Sequence, residues 1–391
     1  LDVSLPLCRN SPTDLHLVSY FSASTLTRHM TRDLAEMTAA APLSITEIQE
    51  LVAEHGATVS LGRSIGELIA DGELPRLANA TVLKGKVSDS VFGESLVAAD
   101  GRELRLMFRN NRISTHDVNR GAIPFKDQVL ALNHDHMRRL VSGAIGTSQF
   151  EVPGLAATST VIPAENLELV MLENVLRRYM AKSSTSTSLY QHWLAAKQSG
   201  ARVLRFAGHE LAVNSLEPNG CLPYLLDTPS SKAAVDETMD AEQLVAMGVC
   251  TEGQYAQIRN SSLMAFGIVT EHLRERGMVL VDTKTEHGIN RAGEIVAADE
   301  LYTMDSSRFW RLNDAGELLT RDGEPVSFSK EFARGMVTEH DQQFTQAQAN
   351  EIAVRYIEGL QHLLGVRFVP DLRPRDERLV ESVNLILDSL T

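Results

Sequence analysis

Cysteine is scarce in this chain and scattered. Cys8, Cys221 and Cys250 form no CxxC pair, which argues against a zinc site or a disulfide framework and points to a reducing, cytoplasmic compartment. Long apolar runs are missing: none approaches the ~20 residues that a membrane helix needs, and no signal-peptide pattern is read. Positive charge is in deficit, with 37 Lys and Arg against 51 Asp and Glu and a net charge of −14. That balance disfavours nucleic acid and anionic membranes as partners. A chain so acidic that handles anions must gather its cations in one cleft. No internal repeat and no Ser–His–Asp arrangement is found. The remainder is ordinary for a globular protein: 391 residues, 43% hydrophobic and 23% charged, enough for two or three domains at roughly 150 residues each.

Residues 1–78 read as a helical extension. Leu26, Met30, Leu34 and Met37 recur at helical spacing over about 24–38. Ser44-Ile45-Thr46-Glu47 is a capping box opening a helix that Gly56 should stop, and Ser64-Ile65-Gly66-Glu67 opens another ending near Gly72. From 79 to about 170 the pattern turns to short strands and turns, among them Ala80–Lys84, the Gly85 turn and Leu104–Arg109. Residues 171–391 read as a larger domain ending in amphipathic helices. Together these spell an α+β protein in which a small antiparallel sheet domain leads into a larger α+β domain. His134-Asp135-His136 is no metal cluster, since neighbours on a helix do not share a face.

The segment Met278–Trp310 holds the densest chemistry. Met278–Asp282 favours a strand, Asn290-Arg291-Ala292-Gly293 is turn chemistry, and Glu294–Ala298 returns. Period two puts Asp282, Lys284 and Glu286 on one face. If the hairpin closes symmetrically around Ala292 and Gly293, Glu286 lies opposite Asp299. Facing carboxylates destabilise a hairpin unless a divalent cation lies between them. Oxygen ligands suit Mg²⁺, which binds through one or two carboxylates plus substrate phosphates. The plainer alternative is an exposed hairpin with solvated charges.

Val281-Asp282-Thr283-Lys284-Thr285-Glu286-His287-Gly288 and Asp299–Trp310, which includes Asp305-Ser306-Ser307-Arg308-Phe309-Trp310, closely resemble the two signature segments of the SAICAR synthetase family of purine biosynthesis. Further segments from about 80 to 365 are similar to that family in order. Lys84-Gly85-Lys86-Val87-Ser88-Asp89 resembles Gly-Lys-Val-Arg-Asp, with Ser88 in place of a basic residue. Asn111-Arg112-Ile113-Ser114-Thr115-His116-Asp117 resembles Asp-Arg-Ile-Ser-Ala-Phe-Asp. Ile123-Pro124-Phe125-Lys126-Asp127 resembles Ile-Pro-Gly-Lys-Gly. Glu173–Ser183 resembles Glu-x-Val-Val-Arg-x-Tyr-x-Ala-Gly-Ser, with Lys182 in place of glycine. Thr228-Pro229-Ser230-Ser231-Lys232-Ala233 resembles Thr-Pro-Ser-Thr-Lys-Ala.

The resemblance implies an ATP-dependent, Mg²⁺-requiring ligase, with ATP in a cleft between the small and larger domains, that joins L-aspartate to the carboxylated aminoimidazole ribotide CAIR. It implies nucleotide contacts from Lys84, Gly85, Lys86, Glu173 and Lys284, metal ligation by Glu286 and Asp299, and catalysis by Lys284 with those two carboxylates. Arg177, Ser183 and Arg308 would hold the ribotide phosphate. Arg112, Ser114 and Asp117 would line the imidazole and aspartate region, Ser230, Ser231 and Lys232 would face carboxylates, and Asp305 and Ser307 would join the substrate side. A homo-oligomer is an open expectation. Another ATP-dependent ligase or small-molecule kinase on the same scaffold, or a catalytically silent relative, stays open at this stage.

Overall fold

The structure, a computed structural model, describes Met37 and residues 40–85, 88–115, 118–232, 237–337 and 342–391. Apart from Met37, the helix expected over 24–38 lies outside the described residues, as do Lys86, Asp117 and Ala233.

Helix α1 (Ile45–Ser60) opens on the expected capping box, in which the Ser44 hydroxyl accepts the Glu47 N–H and the Glu47 carboxylate accepts the Ser44 N–H. It does not stop at Gly56. The helix runs through it, and a Cβ there would lie 3.0 Å from Pro124 Cβ. Gly56 is therefore a close-packing position, not a terminator. Helix α2 (Ile65–Ala70) is capped in the same way by Ser64 and Glu67. Strands β1 (Thr81–Lys84), β2 (Ser88–Val97) and β3 (Glu103–Arg109) follow, then the hairpin β4 (Arg112–Thr115) and β5 (Val118–Ala122), helix α3 (Lys126–Leu140) and β6 (Val161–Glu165). The small sheet has the order β1-β2-β3-β6, all antiparallel.

The larger sheet is built from β7 (Glu168–Tyr179), β10 (Cys221–Asp227), β11 (Ser230–Ser231), β12 (Met278–Ile289), β13 (Ile295–Ala297), β14 (Ser307–Arg311) and β17 (Ser327–Phe328). Between these lie α4 (Leu189–Gln198), the hairpin β8 (Val203–Phe206) and β9 (His209–Ala212), α5 (Ala241–Ala246), α6 (Glu252–Arg274), and the short hairpin β15 (Thr320–Arg321) and β16 (Glu324–Pro325). Helices α7 (Glu331–Gly335), α8 (Gln346–Leu364) and α9 (Arg375–Leu390) close the chain. The sheet order is β10-β7-β12-β14-β17, with β11 on β7 and β13 on β12.

Period two sorts the central strands. Leu172, Asn174, Leu176, Thr283, Thr285 and His287 are buried behind the sheet, where Ser262 of α6 meets Thr285 at 3.5 Å. Glu173, Arg177, Asp282, Lys284 and Glu286 take the other face. The ends of the chain cross over. Ile48, Val52 and Val59 of α1 join the core of the larger domain, with α8. Leu379, Val383, Ile386 and Leu387 of α9 join Leu68, Leu77, Val91 and Leu106 on the small sheet. The last helix thus packs on the small domain, although it follows the larger one in sequence. Among the described residues, no helix is long and apolar enough to cross a membrane.

Candidate functional site

The hairpin after β12 is real, but its register is offset by one from the symmetric expectation. His287 pairs with Ala297, and the Glu286 carbonyl accepts the Ala298 N–H at 3.0 Å. Glu286 is thus opposite Ala298, and Asp299 follows the last ladder contact. The cause is the turn. Asn290 and Glu294 close a loop of Arg291, Ala292 and Gly293, with Gly293 at φ +81°. That is the three-residue hairpin with a left-handed glycine, not the two-residue one. Asp299 sits in the bend leaving the strand, half exposed, with its carboxylate 3.9 Å from Arg109 of the small sheet. Glu300 beside it accepts from Arg109 at 3.0 Å.

The carboxylate that does face Glu286 is Glu173, its direct cross-strand partner on β7. Lys284 lies between them and donates to Glu173 Oε1 at 2.7 Å and Glu286 Oε1 at 2.5 Å. Lys232 donates to the other oxygen of Glu286, and Ser230 lies 3.5 Å from Glu173. Burial works to lower the Lys284 pKa, but the Glu286 and Glu173 carboxylates outweigh it and push it up. Burial likewise works to raise Glu286, and Lys284 and Lys232 bring it below the usual carboxylate range. Like charges face each other across the strands here because two ammonium groups neutralise them.

Further along the same face is a second group. Arg308 embraces Asp282, with Nε 2.9 Å from Oδ1 and Nη2 on Oδ2. Arg177 Nη1 donates to Asp282 at 3.4 Å, and its Nε donates to the Thr228 hydroxyl at 3.0 Å. Burial would raise the Asp282 carboxyl, but Arg308 and Arg177 hold it below its ordinary value. Two guanidinium groups converging on one carboxylate present the planar donors that bind phosphate. Beyond them Tyr179 and Trp310 meet edge to face at 5.2 Å, and Leu318 packs on the same small cluster of Ala181, Val281 and Trp310.

Other expected site residues are not among the contacts of these two groups. Arg112 donates to Asp89 at 2.6 Å and to the Gly85 carbonyl at 2.9 Å. Gly85 is obligatory, since a Cβ there would lie 2.2 Å from the Ser88 carbonyl oxygen. Lys84 is exposed on an edge strand, Ser114 is buried, and Ser183 accepts the Thr185 N–H at 3.2 Å. Ser231 is buried with no partner for its hydroxyl. Ser307 departs from the expectation: strand alternation turns it behind the sheet, where its hydroxyl meets Thr283 at 2.8 Å. Asp305 is buried, bound by Lys126 at 2.7 Å and Tyr356 at 2.5 Å. Burial opposes its ionisation, yet Lys126 and Lys330 bring its pKa down to about 2.

Several residues of this face escaped the sequence reading. Asp282 and Thr228 lie within the resembled segments but carry no assigned role there, and the Lys182 carbonyl, a backbone group, has no local sequence signal. The departures from the resembled pattern find structural roles. Ser88 donates to the Phe108 carbonyl at 3.0 Å. Phe125 holds a left-handed backbone (φ +61°) at the start of α3 and packs edge to face on Phe368. The Asp127 N–H donates to Asn111 Oδ1 at 3.0 Å.

An α+β chain whose open sheet face carries two arginines on one carboxylate, beside lysines between glutamates, is of the phosphate-handling class. The comparisons with known proteins give that class its particular family. The SAICAR synthetase family model matches residues 83–351, and the chain belongs to that family. A phosphoribosylaminoimidazole-succinocarboxamide synthase of Legionella pneumophila (strain Lens) is 30% identical over 301 residues, covering 74% of this chain and 90% of the relative. The chloroplastic synthase of Arabidopsis thaliana is 29% identical, covering 79% and 73%. A Saccharomyces cerevisiae SAICAR synthase solved in complex with SAICAR shares the fold, with a TM-score of 0.61 and 21% identity over 80% of this chain and 100% of that one.

Proposed function

We propose that this protein joins the amine of L-aspartate to the carboxylate of CAIR, consuming ATP and giving SAICAR, ADP and phosphate. The observation that carries the reading is the pair of charge groups on one sheet face, within the matched segments: Arg177 and Arg308 on Asp282, and Lys284 with Lys232 among Glu173 and Glu286. The first group suits the ribotide phosphate. The second suits a nucleotide's phosphates.

A carboxylate is a poor electrophile, so the CAIR carboxylate oxygen must first take the γ-phosphoryl group of ATP, with ADP leaving. The aspartate nitrogen then attacks the acyl carbon, the C–O bond to phosphate breaks, and the nitrogen loses a proton to solvent. Both steps call for positioning and charge neutralisation more than for covalent participation by the protein. Lys284 and Lys232 would exchange their carboxylate partners for phosphate oxygens. Among the described residues, no group of three or more metal-ligating His, Cys, Asp or Glu side chains occurs. Mg²⁺ needs fewer when substrate phosphates complete its shell. Glu286 and Asp299 are the ligands we assign, Glu286 because two lysines already keep it ionised and Asp299 because it is half exposed at the junction of the sheets. Bound there, Mg²⁺ would neutralise phosphate charge. Purified protein supplied with ATP, Mg²⁺, CAIR and aspartate should release ADP and the succinocarboxamide together. ADP release without the amide, or no reaction, would reject the assignment.

A further inference from the structure

The two-arginine group is one cation short of its proposed ligand. Arg177 and Arg308 share Asp282, and neighbouring Arg334 is neutralised by Glu331 at 2.7 Å. The group therefore carries a net +1, whereas a phosphate monoester carries about −1.5 to −2 at pH 7. This argument rests on the reading of that group as the ribotide-phosphate site.

Lys182 stands where the balance can be made. Its carbonyl oxygen accepts from Arg308 Nη1 at 3.2 Å, so its flexible four-carbon stem begins beside the guanidinium. Its ammonium is turned aside to Glu324 Oε1, and Glu324 Oε2 accepts from Asn219 Nδ2 at 2.9 Å. Glu324 rides the β15–β16 hairpin, which follows Leu318, a residue packed on the cluster of Ala181, Val281 and Trp310 at the end of the same face. The Lys182 and Glu324 side chains are 42% and 53% exposed. An ion pair so open to water contributes little and yields readily to a partner held by two arginines. The resembled family segment has glycine at this position, so the extra charge belongs to this chain.

We infer that Lys182 is a specificity-determining residue: it leaves Glu324 to become the third cation on the ligand's phosphate, and Glu324 competes with that phosphate for it. The two halves of the ion pair must then act with opposite sign. Calorimetric titration of the full chain with CAIR, and with the nucleoside lacking its phosphate, reads this directly. Lys182→Ala should weaken CAIR binding about tenfold, Lys182→Gln should do nearly the same, and Glu324→Gln should tighten it. None should change nucleoside binding. If Lys182 merely ties down the hairpin, Lys182→Ala and Glu324→Gln will shift affinity in the same direction, which overturns the proposal. If the wild-type protein discriminates CAIR from its nucleoside while Lys182→Ala binds CAIR unchanged, the lysine assignment alone fails. If the wild-type protein binds both equally, the phosphate-site reading fails with it. Melting temperatures within a degree or two of wild type would show that the variants fold.

Discussion

Lys284 is tied to both carboxylates that face each other across β7 and β12, so removing one of them tests the charge balance at a single atom. Glu286→Gln keeps the shape of the side chain and leaves Lys284 with Glu173 alone. Loss of even a group that only orients a metal ligand costs about 10–100-fold in activity, and Mg²⁺-dependent ADP release should fall at least that far. A wild-type rate would remove Glu286 from the metal assignment. Asp299→Asn should show a comparable loss. The alternating face Asp282-Lys284-Glu286 was legible because strand periodicity is local. The facing of Glu173 and Glu286 was not, because that partner comes from a distant strand. The hairpin register slipped by one because Arg291-Ala292-Gly293 makes a three-residue turn, and composition alone does not separate that from a two-residue one.

At the scale of elements, helix α9 is fastened at its N-terminal end. Arg375 donates to the Arg63 carbonyl at 2.7 Å, Arg63 donates to Asp376 at 2.9 Å, and Arg378 donates to the Val59 carbonyl at 3.2 Å. Arg378 also lies 3.8 Å from Asp127, a carboxyl whose pKa burial holds above its ordinary value against the pull of Arg378 and Arg375. Arg378→Leu should therefore destabilise the protein by about 1–3 kcal/mol, the scale for leaving buried hydrogen-bonding groups without their partner. Adding Asp127→Asn should recover part of the loss in urea unfolding. Equal losses in the single and double variants would show that the carboxylate is not the reason. Capping boxes made the starts of α1 and α2 readable. Asp127 in a glycine's place gave no hint that its partner would come from the last helix.

For the molecule as a whole, the buried histidines set the response to acid. Burial lowers His134 well below its ordinary value, His136 and His287 to about 4, and His272 to about 3. The unfolded chain binds these protons near pH 6.5, so it takes up more protons than the folded one as pH falls. The stability is fully present above about pH 6.5. Below it, each histidine removes up to ~1.4 kcal/mol per pH unit until the folded value is reached. The melting temperature should thus drop steeply between pH 6.5 and 5. His287 is 1% exposed and has no partner for either ring nitrogen, so His287→Phe should shrink that drop, and an unchanged pH profile would exclude it as a contributor. The α+β class and the two-sheet order of motifs were readable from pattern. The crossing of the termini was not, since amphipathic helices declare an apolar face without naming what covers it.

That crossing has a practical consequence. The change of pattern at residue 79 invites cutting the gene there, yet Ile65, Leu68, Leu74 and Leu77 sit in the oily layer under the small sheet. A polypeptide begun at residue 79 would leave the ribosome with that layer bare on one side and α1 missing from the other, a recipe for inclusion bodies.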